Sequence, residues 1–533
     1  MVTEAETKLQ LFLQWLQVNG VELRGCNIKY CDSSKGFGLF SSINVPDGVL
    51  LVVPLDLAIT PMRVLQDPLV GPPCRAMLEE GEVDDRFLII LFLTVERLRS
   101  NSTWKPYLDM IPSSFGNPLW FTEDEFQELK GTTVYRASTL QKKSLQAIFE
   151  EKVKDLVKKL LIMNGDSERE VAFEDFLWAN SVFWTRALNI PLPRTYVFPE
   201  GSEIPAVDSI SNGVNITSME GETLWVEGLV PGIDFCNHAI KAATTWEVDS
   251  TGSTSGVPLS MYLLSVNQGP SNIQKEITIS YGNKGNEELL YLYGFVIEDN
   301  PDDFLMVHYP TEALQSVSFS DSKTQLLQAQ KSELRCLLPK SLLDRGFFPN
   351  SSSESKNVQE CAKDKGPNYS WSGQRKTPSY VNKLVFPEDF LTSLRTVSMQ
   401  EKELFNVQSL LEELVGTEGE REPSDAEVRA AVWEACGDSG ALQLLVDLLN
   451  TKLIDLEEGS GTEESDSKLL DKTCIRDSPA FSISLSNAES STVEVMSKNR
   501  WASIVYRRGQ KQLTRMFLRE AEHALQLCLK EEC

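Results

Sequence analysis

One histidine stands out in GLVPGIDFCNHAIKAATTWEVD, residues 228–249. His238 is one of three histidines in 533 residues, and it lies beside Asn237 and four residues after Asp234 in an otherwise apolar run. A metal ligand, a general base, or a ring whose nitrogens hold a loop would each use a histidine here. Zinc sites need closely organised ligands. The nearest cysteines beyond Cys236 are Cys74 and Cys336, and the chain has no Cys-x2-Cys pair, which argues against a metal. A histidine base normally serves a nucleophile, and no serine or cysteine motif accompanies it. A satisfied histidine that orients a loop is the plainest reading. The Asn237 amide offers both donor and acceptor to a polar ligand or to nearby backbone.

Two other stretches carry chemistry. In CDSSKGFGLFSS (31–42), Gly36 and Gly38 flank Phe37 and would let backbone approach a cofactor closely. A β-turn with packing aromatics explains the same residues, and the full dinucleotide-binding pattern is missing. In ITISYGNKGNEELLYLYGF (277–295), Tyr281 follows a strand-like run, and Tyr293-Gly294-Phe295 ends a short helical one. Such aromatics are either core or the walls of a narrow channel that aligns an amine with a methyl donor and stabilises a sulfonium or ammonium.

Several elements must position these residues. Residues 6–19 read as an amphipathic helix. Residues 23–55 are short β-prone pieces cut by SSKG and PDG. Helical patterns return over 70–98 and 123–163, and 171–190 reads as one buried helix. Short strand-like segments resume between 195 and 300. Neither β region could easily bury both faces alone, so the simplest fold is one β-rich domain interrupted by helices. Beyond about 310 the pattern is helical over 311–338, 387–415, 425–452 and 500–530. Polar 349–383 and acidic 453–470 read as mobile loops. The expected class is therefore α+β.

Composition narrows the function classes. With 77 acidic against 51 basic residues the net charge is −26, which lacks the basic footprint of a nucleic-acid binder. No apolar run is long enough to span a bilayer. The first residues, MVTEAETKLQ, resemble neither a signal nor a plastid transit peptide. Ten scattered cysteines suit a reducing compartment better than a disulfide framework.

Taken in order, KGFGLF with VPDGVLLVVP, then WANSVFWTRAL, LVPGIDFCNH and ISYGNKGNEELLYLYGF resemble the SET-domain protein methyltransferases. The resemblance is to the branch of Rubisco large-subunit lysine methyltransferase and actin-histidine methyltransferase. It covers about 20–300 strongly and 310–533 more loosely, in part through VYRRGQKQLTRMFL (505–518). It implies a split SET domain at 20–300 with a helical insertion at about 65–215, then an all-helical substrate-binding domain at 310–533.

The resemblance also implies roles. Backbone around Lys35, Gly36, Phe37 and Gly38 would line the pocket of S-adenosyl-L-methionine. Arg186, after Thr185, would pair with the donor's carboxylate, a task suited to a guanidinium fork; a helix-end salt bridge is its plainer role. Asn237 and His238 would hold the methionine and adenine parts, Tyr293 would form the second aromatic-glycine pair, and Phe295 would pack on adenine. Tyr281 would be catalytic, aiming methyl and nitrogen without acting as a strong base. The expected activity is lysine N-methylation of a non-histone protein, with no metal. A histidine acceptor and a non-catalytic SET scaffold are the alternatives. The protein is expected to be a cytoplasmic monomer, with chloroplast or nucleus as the other locations, and to bind neither nucleic acid nor membrane directly.

Overall fold

The computed structural model describes residues 4–32, 35–43, 45–166, 170–198, 223–266, 274–348, 375–415, 421–475 and 494–532. Four strands precede the helical insertion: β1 (Glu22–Leu23), β2 (Cys26–Asp32), β3 (Gly36–Ser41) and β4 (Val49–Pro54). Six follow it: β5 (Leu188–Pro193), β6 (Thr223–Gly228), β7 (Asn237–His238), β8 (Thr244–Asp249), β9 (Ser260–Ser265) and β10 (Glu276–Ile279). The two groups interleave. One sheet runs β1-β4-β9-β8 and another β2-β3-β10-β7, while β5 and β6 form a separate pair. Buried Leu51 and Val53 of β4 lie opposite Leu263 and Met261 of β9, so each half of the chain covers apolar residues of the other.

The insertion packs on these sheets. Asp84 caps the helix Asp85–Leu98, its side chain accepting from the Phe87 N–H at 2.9 Å. Phe87 through Val95 are all buried, as expected of a helix apolar around its whole circumference. This helix packs against Phe173–Arg186. The expected helix over 171–190 is shorter than its apolar pattern, because Ala187 is already extended and Leu188 begins β5, paired with β6. Apolarity alone does not distinguish a buried helix end from a buried strand.

The C-terminal region is mainly helical but not all-helical. An antiparallel pair, β11 (Phe304–His308) and β12 (Arg335–Pro339), enters its core with buried Leu305, Val307 and Leu338. A parallel pair, β13 (Thr473–Ile475) and β14 (Glu494–Met496), lies farther along. The helical pattern over 311–338 therefore ends in a strand, whose alternation is too short to read against helical neighbours. The helices Ser439–Glu457 and Lys498–Glu532 carry most of the remaining core.

The acidic segment 453–470 is not a mobile loop. The first of those helices runs into it, and Glu463–Lys472 is another helix. Asp466 is buried, accepting from Arg507 at 2.6 Å and from Lys511 Nζ at 2.7 Å. Counter-charges more than thirty positions away in sequence make this acidic stretch packable. Of the polar stretch 349–383, residues 349–374 lie outside the described residues. The remainder is anchored at two points: Tyr380 is buried and donates to Asp438 at 2.7 Å, and Arg375 pairs with the same carboxylate.

Candidate active site

The second sheet assembles the site from three distant segments. Strand β10 pairs antiparallel with β3, with Ile277 opposite Leu39. On its other side it pairs parallel with β7, with Thr278 opposite Asn237 and Ile279 opposite His238. Leu39, Ile277 and Ile279 are buried, which anchors the register. Tyr281 stands two residues past the end of β10, and the register brings it beside His238.

The contact between these two residues is specific. The backbone N–H of Tyr281 donates to His238 Nδ1 at 3.1 Å, and the rings lie 5.1 Å apart. The Tyr281 hydroxyl donates to the Cys236 carbonyl at 2.8 Å. Burial holds the Tyr281 phenol well above its ordinary range, so it keeps its proton at neutral pH. Burial also lowers the His238 pKa, with Asp302 and the Ile279 backbone opposing that shift. Both observations suit positioning groups better than a proton-abstracting phenolate. The Cys236 thiol is buried and its pKa is raised well above ordinary by desolvation, so its carbonyl is the part that serves the site.

Tyr293 and Phe295 complete the aromatic walls. Tyr293 lies 4.8 Å from Tyr281, and Phe295 lies 6.0 Å from His238, centroid to centroid. They flank Gly294, which ends the π-helical turn Leu289–Tyr293 at φ +80°. A Cβ there would sit 2.4 Å from the Gly116 carbonyl carbon, so the insertion's loop backbone presses directly on the motif. Asn286 braces the same turn, donating to the Ile297 carbonyl and accepting from the Ile297 N–H.

Lys35, Gly38 and Asn237 meet through a residue the sequence reading passed over. Glu276 accepts from Lys35 Nζ at 2.6 Å and from Asn237 Nδ2 at 2.8 Å. Gly38 has no Cβ where one would lie 2.6 Å from Cys31 Sγ and 2.9 Å from Asn237 Nδ2. Its missing side chain thus makes room for protein groups. Gly36 starts β3 at φ +72°, with nothing within 4 Å of an added Cβ. Phe37 packs edge-on against Tyr30 at 5.6 Å, across the hairpin.

Arg186 ends its helix against Asp234. Its Nη1 donates to the Asp234 carbonyl at 3.0 Å and to Oδ2 at 3.2 Å, and the guanidinium lies 4.7 Å from the Phe235 ring centroid. Tyr107 donates to the same Oδ2 at 2.6 Å, and the Gly232 N–H to Oδ1 at 3.1 Å. Burial raises the Asp234 pKa, while Arg186 and then Tyr107 oppose it. Thr185 bonds back to the Ser181 carbonyl within the helix. Asp234 had a readable signal, a lone carboxylate in the apolar run LVPGIDFC; Tyr107 had none.

No family model matches the chain. A crystal structure of the SET domain of LSMT bound to lysine and AdoHcy superposes with a TM-score of 0.62 at 18% identity, covering 98% of this chain and 93% of that one. The chain has the fold of that SET domain. The split SET fold accounts for the interleaved sheets and for motifs separated by a helical insertion. Sequence similarity agrees. The chain is 25% identical over 293 residues to the chloroplastic Rubisco large-subunit N-methyltransferase of Pisum sativum, covering 54% of this chain and 51% of that one. It is 27% identical over 307 residues to the chloroplastic fructose-bisphosphate aldolase-lysine N-methyltransferase of Arabidopsis thaliana, covering 56% and 54%. It is 24% identical over 347 residues to the actin-histidine N-methyltransferase of Homo sapiens, covering 64% and 48%. The chain spans about half the length of these curated relatives.

Proposed function

We propose that the protein is an S-adenosylmethionine-dependent protein-lysine N-methyltransferase acting on a non-histone protein. The observation that carries this reading is the joining of Tyr281, His238, Tyr293 and Phe295 into one aromatic group beside the Cys236 carbonyl, in a SET fold.

The residues fit the methyl donor. Asn237 commits its amide nitrogen to Glu276 and keeps a carbonyl acceptor. Among the described residues Arg186 bonds through Nη1, and its other nitrogens would be offered to an anion. When bound, S-adenosylmethionine supplies a sulfonium methyl to the acceptor nitrogen. The chain's own work is positioning. A lysine laid against the aromatic wall of Tyr281 and Tyr293 loses hydration, which lowers its pKa toward the neutral form that carries the needed lone pair. With its proton directed at Cys236, the Tyr281 oxygen remains an acceptor that aims the amine, and rate enhancement comes chiefly from alignment and electrostatics. Residues 310–533 would hold the substrate protein.

The test is incubation of the protein and a labelled methyl donor with fractionated native lysate, followed by mapping of labelled sites. Labelled lysine is expected. No protein labelling, with S-adenosylhomocysteine failing to bind, would leave a scaffold, while labelled imidazole would establish histidine as acceptor. The cytoplasm is the proposed compartment. The plant relatives are named chloroplastic, and fractionation of tagged protein would decide between the two.

A further inference from the structure

Glu276 opens β10 in KEITISYG. In the fold its two oxygens do different things. Oε2 takes Lys35 Nζ at 2.6 Å, tying the turn of the β2–β3 hairpin to β10. Oε1 takes Asn237 Nδ2 at 2.8 Å, tying β7 to β10 through side chains as well as backbone. The Asp32 side chain secures the same turn by accepting from the Lys35 N–H at 2.8 Å. Cys31 Sγ lies 3.7 Å from both Glu276 Oε1 and Asn237 Nδ2, and the bare Cα of Gly38 leaves space for all three.

An ionised carboxylate only accepts hydrogen bonds, so only the NH2 edge of the Asn237 amide can face Glu276. That contact removes the amide's flip freedom and turns Oδ1 to the opposite side. We propose that Glu276 is a positioning residue for methyl-donor binding: it locks the Asn237 amide so that its carbonyl accepts from the amino-acid part of the donor. This inference rests on the methyltransferase reading.

The polarity of the pair provides the test. Calorimetry on the full chain would measure S-adenosylhomocysteine binding to wild type, Glu276→Gln, Asn237→Asp and the double variant. Glu276→Gln lets the amide rotate and is expected to weaken binding about tenfold or more, the scale of a hydrogen bond to a charged group. Asn237→Asp sets two carboxylates against each other and is expected to weaken it similarly. In the double variant the new glutamine donates to the new carboxylate, whose second oxygen still accepts from the ligand. Binding should then recover to within about threefold of wild type. A residue that only stabilises the fold would give no such rescue.

5′-Methylthioadenosine, which lacks the amino-acid part, should bind wild type and Glu276→Gln alike. Undiminished S-adenosylhomocysteine affinity in Glu276→Gln, failure of the double variant to recover, or equal losses for the two ligands would overturn the proposal. Failure of wild type to bind S-adenosylhomocysteine would instead sink the methyltransferase reading itself.

Discussion

The Tyr281 N–H bonded to His238 Nδ1 at 3.1 Å joins two motifs that lie forty-three residues apart into one unit. The bond needs an unprotonated Nδ1, so the geometry selects the neutral ring. Burial holds the folded-state pKa of His238 below the ordinary 6.5. Its stabilising contribution is therefore fully present above 6.5 and is lost as pH falls from 6.5 through the folded value. Between about pH 7.5 and about pH 5.5, wild type should lose more denaturant stability than His238→Gln. Parallel curves would show that the ring titrates normally.

Tyr281→Phe removes the hydroxyl bonded to Cys236 and keeps the ring between His238 and Tyr293. Turnover should fall about 10²-fold or more, since alignment of the reacting groups is what is lost. Stability should fall by only about 1 kcal/mol. Unchanged single-turnover rates would remove Tyr281 from the chemistry.

Arg186→Ala leaves buried Asp234 with Tyr107 and the Gly232 N–H as its side-chain partners among the described residues. Breaking one side of a buried ion pair costs about 3–5 kcal/mol. The variant should unfold at lower denaturant concentration as well as bind S-adenosylhomocysteine less tightly. Asp234→Asn in the same chain should recover part of the stability without restoring affinity. Loss of affinity at wild-type stability would assign Arg186 to ligand binding alone.

Gly116→Ala places a Cβ 2.4 Å from the Gly294 carbonyl oxygen, with backbone on both sides. Overpacking of this kind costs about 1–3 kcal/mol and should displace the turn that carries Tyr293. The check is thermal unfolding together with the KM for a mapped substrate; a variant unchanged in both would show that the two backbones are not pressed together.

Asp466→Ala takes the carboxylate from buried Lys511, which keeps only neutral partners in Ser460 Oγ and the Gly461 carbonyl among its hydrogen bonds to described residues, while Arg507 keeps Glu128. A loss of about 3–5 kcal/mol is expected in urea unfolding. An effect near zero would restore the loop reading of this acidic segment.

Local chemistry determined much of this protein in advance. Glycine turns, strand-length apolar runs and helical periodicity announced a β-rich domain split by helices. The ordered motifs picked out Asn237, His238, Tyr281, Tyr293 and Phe295 as residues to examine together. These signals lie in short windows, where residue type and spacing set backbone preference.

What only tertiary structure decided depends on partners far apart in the chain. The lone carboxylate Asp234 becomes the seat of Arg186 once two chain segments cross. Glu276 reaches the Asn237 amide because β10 is sandwiched between β3 and β7. The acidic run around Asp466 folds and packs because Arg507 and Lys511 reach it from the last helix. In each case a charge is cheap to bury only beside its counter-charge or donor. The pairing that supplies that partner is set by sheet register and helix packing, which no short window contains.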